Sequence, residues 1–223
     1  MKLGAQQRRD SDRAARVRPA GDTTVRAAIT PGGRIVLAWY SAVVSPEEEP
    51  LDIAAGVTIR GRSHWRSVRL ERSTVTAGPF LAGTTAVPVI DSAKHVYVTW
   101  TGTVRGAPAV KLARITTGGR RERTVLSGKI LGAAVDDAAA GPNRSLAVSW
   151  SAMETYSVTA SYASVRRANR PFSLPERLTP AGSPGLTGSR VAFQPATGDA
   201  VVAWRFVAPD GTGALDATVN PAG

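Results

Sequence analysis

The sequence predicts an all-β protein, a β-propeller-like array of about four four-stranded antiparallel blades. Three observations support this fold class. Short apolar segments that end in tryptophan recur at intervals of about fifty residues, turn residues separate them, and no segment keeps a helical periodicity. The four segments are IVLAW at 35–39, VYVTW at 96–100, LAVSW at 146–150 and AVVAW at 200–204.

Each repeat contains further strands around its tryptophan segment. The tryptophan segment itself is the predicted second strand, because it is almost wholly apolar, as a strand buried on both faces would be. Across a turn before it lie the first strands, predicted at 24–30, 85–91, 130–135 and 188–193. Third strands are predicted at 53–60, 109–116, 158–165 and 214–219. Fourth strands follow in three of the units, at 65–70, 122–126 and 172–178.

Aromatic residues mark the expected core. The repeat tryptophans lie inside apolar strands, so we expect core packing and not carbohydrate stacking. Trp65 and Phe172 begin the fourth strands of their units and are expected to pack between blades. The repeat tryptophans are Trp39, Trp100, Trp150 and Trp204.

The two ends of the chain bear on how the blades close into a ring. The last unit lacks a fourth strand, and ARVRPA at 15–20 is similar to ERLTPA at 176–181. We therefore expect residues 14–19 to supply the missing outer strand, the alternative being a fragment of a larger propeller. The predicted organisation is a disordered basic lead-in at 1–13 and a repeat domain at 14–223. Its blades lie approximately at 23–72, 84–128, 130–180, and 186–220 together with 14–19.

Composition limits the chemistry and leaves the compartment open. The net charge is +11 with a pI near 11.1, and 24 of the 28 basic residues are arginine. Cysteine is absent, which excludes disulfides and thiolate sites. No apolar segment is long enough to span a membrane, and residues 1–13 lack the apolar core of a signal peptide. The chain as written would stay in the cytoplasm, whereas a parent with a different start could be secreted, so localisation stays unknown.

The repeat resembles the degenerate propeller repeats of bacterial sialidase-like proteins. An apolar strand, a Gly/Asn/Asp turn, a V-x-V-x-W strand, an arginine-bearing strand and a Ser/Thr-rich outer strand carry the resemblance over residues 14–220. The resemblance implies a fold and no activity, because the Asp-box S-x-D-x-G-x-T-W aligns with TIRGRSHW at 58–65, where Arg60 replaces the aspartate. No catalytic residue is carried over.

Few residues suggest metal or acid–base chemistry. His64 and His95 stand in turns beside basic residues and are expected to be solvated. Asp136 and Asp137 are followed by three alanines, so a turn is favoured over a calcium site. The acidic segment 47–49 is expected to form an exposed loop tip. We predict no catalytic set, no metal site and no cofactor.

Basic residues recur at one structural position, the hairpin between the third and fourth strands. In a propeller this hairpin shares a face with the turn between the first and second strands, which adds Arg34, Lys94 and Arg144. A GC-rich coding bias accounts for arginine over lysine but not for this repetition. The candidate anion-binding residues are Arg60, Arg62, Arg66, Arg120, Arg121, Arg123, Arg166, Arg167 and Arg170.

Several functions remain open from the sequence alone. The favoured one is a non-enzymatic binding or interaction module, for an anionic polymer or surface through a basic face. The partner would be an acidic polysaccharide, a phosphate polymer or nucleic acid bound without sequence preference, and an open ring would also allow self-association. The alternatives are a glycan-active hydrolase or lyase of sialidase-like type, and a gene fragment without an independent role.

Overall fold

Antiparallel sheets make up the architecture of the computed structural model. It describes residues 22–30, 32–43, 51–60, 65–75, 85–116, 121–128, 130–155, 158–168, 170–181, 188–207 and 210–220. Within these residues fifteen strands form four sheets, each built from strands that are consecutive in the chain. The helical content of the same residues is one 3-10 turn at Pro142–Arg144. The predicted all-β, propeller-like fold class is confirmed.

The four sheets are the blades, numbered along the chain. Blade 1 contains β1 (Asp22–Ile29), β2 (Ile35–Val43), β3 (Leu51–Arg60) and β4 (Trp65–Val75). Blade 2 contains β5 (Ala86–Ile90), β6 (Val96–Val104), β7 (Ala107–Ile115) and β8 (Arg121–Val125). Blade 3 contains β9 (Gly132–Ala140), β10 (Leu146–Thr155), β11 (Val158–Arg166) and β12 (Glu176–Arg177). Blade 4 contains β13 (Gly188–Phe193), β14 (Ala200–Val207) and β15 (Gly213–Asn220).

Successive blades pack face to face through apolar cores. Their first strands are in contact, β1 with β5, β5 with β9, and β9 with β13. The tryptophan of the later blade lies in each core: Trp100 between blades 1 and 2, Trp150 between blades 2 and 3, and Trp204 between blades 3 and 4. We call the side of a blade that its tryptophan occupies the leading face, and the other side the trailing face.

The tryptophan of blade 1 differs from the other three. Trp100, Trp150 and Trp204 have 0%, 1% and 5% of their surface exposed. Trp39 is only partly buried, so the expectation that all four are core residues is wrong for it. The physical reason is that Trp39 lies on a leading face against which the described residues place no earlier blade.

Asp136 and Asp137 lie within β9, so their assignment to a turn is wrong. A shift in the pairing of β9 with β10 interrupts the ladder beside them, as a β-bulge does. Asp136 Oδ2 accepts hydrogen bonds from Ser151 Oγ (2.9 Å) and from the Ser189 amide and Oγ (3.1 and 2.8 Å). Asp137 Oδ2 accepts one from the Val191 amide at 3.1 Å. The two carboxylates therefore hold the edge of β13 against blade 3.

The outer strands are less regular than the inner ones. The fourth strand of blade 3 is reduced to Glu176–Arg177, and Phe172 before it forms an isolated bridge with Arg166. Phe172 packs against the core between blades 2 and 3, as predicted. The predicted closing strand at 14–19 and the lead-in at 1–13 lie outside the described residues. No described helix has the length and apolar character of a membrane span.

Candidate anion-binding face

Side-chain contacts bring the turns of successive blades together on one face. Arg34 Nη1, in the first turn of blade 1, donates to the Lys94 carbonyl in the corresponding turn of blade 2 at 3.1 Å. Arg167 Nη1, after the third strand of blade 3, donates to the Gly198 carbonyl in the first turn of blade 4 at 2.9 Å. The turns between first and second strands thus lie beside the hairpins between third and fourth strands. We call this surface the anion-binding face.

One position in the first turn of each blade has a left-handed backbone. It precedes the second strand by two residues, and φ there is 76° at Gly33, 64° at Lys94, 62° at Arg144 and 78° at Gly198. Glycine adopts this conformation freely, whereas a residue with a Cβ is strained there by about 1–2 kcal/mol. Blades 2 and 3 therefore hold a basic residue where glycine would fold more easily.

A pocket opens on this face between blades 2 and 3. Its volume is about 150 Å³. Four arginines and a histidine surround it with a single carboxylate, so its charge is strongly positive. The lining residues are His95, Tyr97, Leu112, Arg114, Glu122, Thr124, Arg144, Arg166 and Arg170.

Arg166 is held in the pocket by two aromatic rings. Its Cζ atom lies 4.9 Å from the ring centre of Tyr97 and 5.5 Å from that of Phe172. Such cation–π contacts fix the plane of the guanidinium and leave its N–H edge available. Among the described residues, Nη2 makes only a long contact of 3.4 Å, with the Arg144 carbonyl. Within this part of the chain, Arg166 is therefore positioned by stacking and not by a carboxylate partner.

Two buried donors in the pocket have no acceptor among the described residues. They are the Nε atoms of Arg114 and Arg166. Leaving a buried donor unpaired costs about 1–3 kcal/mol, and more when the group is charged. Arg114 makes one ion pair through a different atom, with Nη1 lying 3.6 Å from Oε2 of the exposed Glu122.

His95 is fixed by a carboxylate, contrary to the expectation of a solvated turn residue. Oδ1 of the buried Asp91 accepts the His95 backbone N–H at 2.8 Å, and Oδ2 lies 2.9 Å from the imidazole Nδ1. The imidazole meets the Tyr97 ring edge to face, with the ring centres 6.4 Å apart. His95 thus orients one wall of the pocket. His64 lies outside the described residues.

The predicted arginines have different surroundings. Arg166 and Arg170 line the pocket. Arg123 Nη2 donates to the Leu70 carbonyl of blade 1 at 2.7 Å, and Arg167 Nη2 donates to the Asn220 carbonyl of blade 4 at 2.6 Å. These two arginines join neighbouring blades, which gives the repeated basic positions a structural role beside any anion binding.

The remaining predicted arginines lie in blade 1 or outside the described residues. Arg60 lies over the Trp65 ring at 5.9 Å, and Arg66 is exposed beside it. Arg62, Arg120 and the side chain of Arg121 lie outside the described residues. Sequence reasoning missed Arg114. The signal was a second charged residue, after Lys111, near the end of a mostly apolar third strand, APAVKLARI.

Metal binding finds no support in the described ranges. No group of three or more histidine or acidic side chains there is close enough to share an ion.

Comparisons with known proteins identify the fold. No protein-family model matches the chain, and no curated protein matches it. Among solved structures it is similar to the Hadza microbial sialidase Hz136, at 12% identity over 87% of this chain and 43% of that one, with a TM-score of 0.51. It is also similar to the α-L-arabinanase of Penicillium chrysogenum, at 12% identity over 89% and 64% of the two chains (TM-score 0.49). The chain thus spans under half of the sialidase and under two thirds of the arabinanase. The sialidase likeness supports the propeller-like architecture predicted from the sequence.

Proposed function

We propose that the protein is a non-enzymatic binding module for an anionic polysaccharide. The polymer lies along the anion-binding face and places one carboxylate or sulfate group in the pocket between blades 2 and 3. The observation that carries this proposal is the convergence of four arginines and a histidine on one pocket that a single carboxylate lines.

The size of the pocket favours a single charged group. A volume of about 150 Å³ is well below the 300 Å³ or more of pockets that enclose a whole small molecule. A carboxylate or sulfate substituent fits into this space, with the rest of its sugar ring outside. Arginine N–H groups match the paired oxygens of such anions.

The surroundings of the pocket favour a polymer over an isolated anion. Lys94 and Arg34 extend the positive surface from the pocket toward blade 1, since the Arg34 guanidinium contacts the Lys94 backbone. With a net charge of +11, the chain attracts polyanions over a long range. The pocket then selects the position at which one charged substituent is bound.

The aromatic residues favour polysaccharide over nucleic acid. Proteins that bind single strands stack bases on open aromatic rings. Here the Arg166 guanidinium lies over the rings of Tyr97 and Phe172, and the Arg60 guanidinium lies over Trp65. These rings already stack with guanidinium groups, so nucleic acid would be bound through phosphates alone and without sequence preference.

Binding of oligogalacturonate, heparin and duplex DNA to the whole chain tests the proposal. Arg144→Gly removes one charge and one strained backbone position at the pocket, and should weaken oligogalacturonate binding about tenfold, as the loss of a charge-assisted hydrogen bond does. Arg105→Gly is the matched control, because Arg105 also has a positive φ (52°) and is exposed but does not line the pocket. Equal weakening by both variants, or tighter binding to DNA than to either polysaccharide, would contradict the proposal.

A glycan-active hydrolase is the second candidate, and one observation favours it. Asp136 and Asp137 lie side by side on the first strand of blade 3, and burial raises the pKa of Asp136, as the acid of a glycoside hydrolase requires. Oδ2 of Asp136 nevertheless already accepts three hydrogen bonds, from Ser151 and Ser189. Release of reducing sugar that is abolished by Asp136→Asn would establish this candidate in place of the binding module.

A further inference from the structure

The two ends of the blade array present surfaces of the kind that elsewhere form the interfaces between blades. We propose that these surfaces bind each other between two copies of the chain, with the trailing face of blade 4 of one copy against the leading face of blade 1 of the next. This inference does not depend on the anion pocket.

Burial at equivalent positions distinguishes the trailing face of blade 4. On each third strand, one residue pairs with the tryptophan, and the two residues flanking it form the centre of the trailing face. In blade 4 one of the two flanking residues is Leu215, which is 81% exposed, and Val219 on the same face is 56% exposed. In blades 1 to 3 the flanking residues are at most 4% exposed: Ala55 and Val57 in blade 1, Val110 and Leu112 in blade 2, and Ser161 and Ala163 in blade 3.

The leading face of blade 1 shows the same contrast. The first-strand residues that pair with the tryptophan are Ala86, Val135 and Ser189 in blades 2 to 4, and each is at most 2% exposed. In blade 1 this residue is Val25, which is 60% exposed, and Ile29 on the same face is 67% exposed.

The indole of Trp39 covers the centre of that leading face. It lies flat over Gly56, so closely that a Cβ built at Gly56 would be 2.3 Å from the ring. A flat aromatic surface bordered by aliphatic side chains is thereby presented toward the outside. It matches the apolar trailing face of blade 4 in chemical character.

The interfaces between blades within the chain indicate which surface covers the two exposed faces. Each of them joins a trailing face to a leading face, and the chain exposes one further face of each type. Both faces are exposed in the same structure, so they are not closed on each other within one chain. A second copy supplies each face with its complement, and such a head-to-tail contact repeats into a closed ring or a filament.

The charges on the two faces predict how salt affects this contact. Arg190 and Arg205 lie on the trailing face of blade 4, and Arg60 lies on the leading face of blade 1, so the approaching surfaces repel each other electrostatically. Salt screens such repulsion. Association should therefore strengthen as the salt concentration rises, whereas polyanion binding weakens.

Sedimentation velocity of the full chain across the micromolar range tests the proposal. We expect reversible association, weakened at least about tenfold by Leu215→Arg, because the substitution removes an apolar contact and adds a positive charge between two positively charged faces. Leu174→Arg is the matched control, since Leu174 is 88% exposed on blade 3 and belongs to neither face. A monomer at every concentration, or equal effects of the two variants, would overturn the proposal.

Cross-linking identifies the faces in contact, and the absence of native cysteine makes it specific. Val25→Cys and Leu215→Cys chains, mixed and oxidised, should form a mixed dimer in preference to dimers of either variant alone. The opposite preference would overturn the head-to-tail arrangement. An internal cross-link in monomers of the double variant would overturn it too, because the chain would then close on itself.

Discussion

All four blades share their first three strands, but blades 2 and 3 differ from blades 1 and 4 at one position of the first turn. The left-handed residue is glycine in the outer pair, at Gly33 and Gly198, and basic in the inner pair, at Lys94 and Arg144. The same backbone is thus built with strain in one pair and without it in the other. The strained pair lies beside the pocket, which supports the proposed role of that pocket in anion binding.

The largest expected effect is the loss of stability when a tryptophan between two blades is removed, compared with a tryptophan on an open face. Trp100→Ala should lower the free energy of unfolding by about 3–5 kcal/mol, because it leaves a large cavity between blades 1 and 2. Trp39→Ala should cost less than half as much, since Trp39 is only partly buried. Urea unfolding at low protein concentration measures both. Equal losses would show that another surface covers Trp39 in solution.

A smaller effect tests packing at the turn that carries Arg144. Gly141→Ala should lower the free energy of unfolding by about 1–3 kcal/mol, because the new Cβ would lie 2.4 Å from the Phe193 ring of blade 4. Gly128→Ala is the control, since no atom lies within 4 Å of its Cβ position. If thermal unfolding shows the two variants to be equally stable, the contact between blades 3 and 4 is not as described.

Relief of strain should change stability in the opposite direction. Arg144→Gly and Lys94→Gly should each raise the free energy of unfolding by about 1 kcal/mol, because a left-handed residue loses its Cβ. Arg105→Gly should give a similar gain. Chemical denaturation of the three variants measures this gain, and a loss of stability for Arg144→Gly alone would assign Arg144 a structural role.

The smallest effects concern two carboxylates of blade 3 that respond oppositely to pH. Burial raises the pKa of Asp136, so its contribution to stability is present below the ordinary value of 3.8 and is lost as the pH rises through the folded pKa. The hydrogen bond from Arg177 lowers the pKa of Glu154, so its contribution is present above 4.5 and is lost as the pH falls. The free energy of unfolding should be measured between pH 3 and 7 for Asp136→Asn and Glu154→Gln. Each variant should lack the pH dependence that its carboxylate contributes, and an unchanged pH dependence would contradict the assignment.

The repeat made the fold predictable, because each tryptophan segment imposes the same buried strand and turn. The tryptophan pattern could not reveal that Trp39 lies on an open face, since local sequence does not show which blade packs against a strand. Asp136 and Asp137 were assigned to a turn because they begin the segment DDAAAGPNR, which contains glycine, proline and asparagine, and because no further acids follow them. A shift in strand pairing and the amides of β13 stabilise them there.

The candidate site was predictable in position but not in composition. Repeated arginines after the third strand indicated the face on which the pocket opens, and Arg166 and Arg170 line that pocket. Arg123 and Arg167 donate instead to carbonyls of neighbouring blades, which sequence spacing cannot indicate. Arg114 reaches the pocket from the adjacent blade, so it could be found only once the packing of blades 2 and 3 was known.

The Nε–H resonances of Arg114 and Arg166 report most directly on the proposed pocket. They can be followed by NMR in protein labelled at arginine while oligogalacturonate is added. Both arginines line the same pocket, so both resonances should shift together and saturate with one affinity. Shifts confined to the exposed Arg60 and Arg123, with Arg114 and Arg166 unchanged at saturation, would contradict the account.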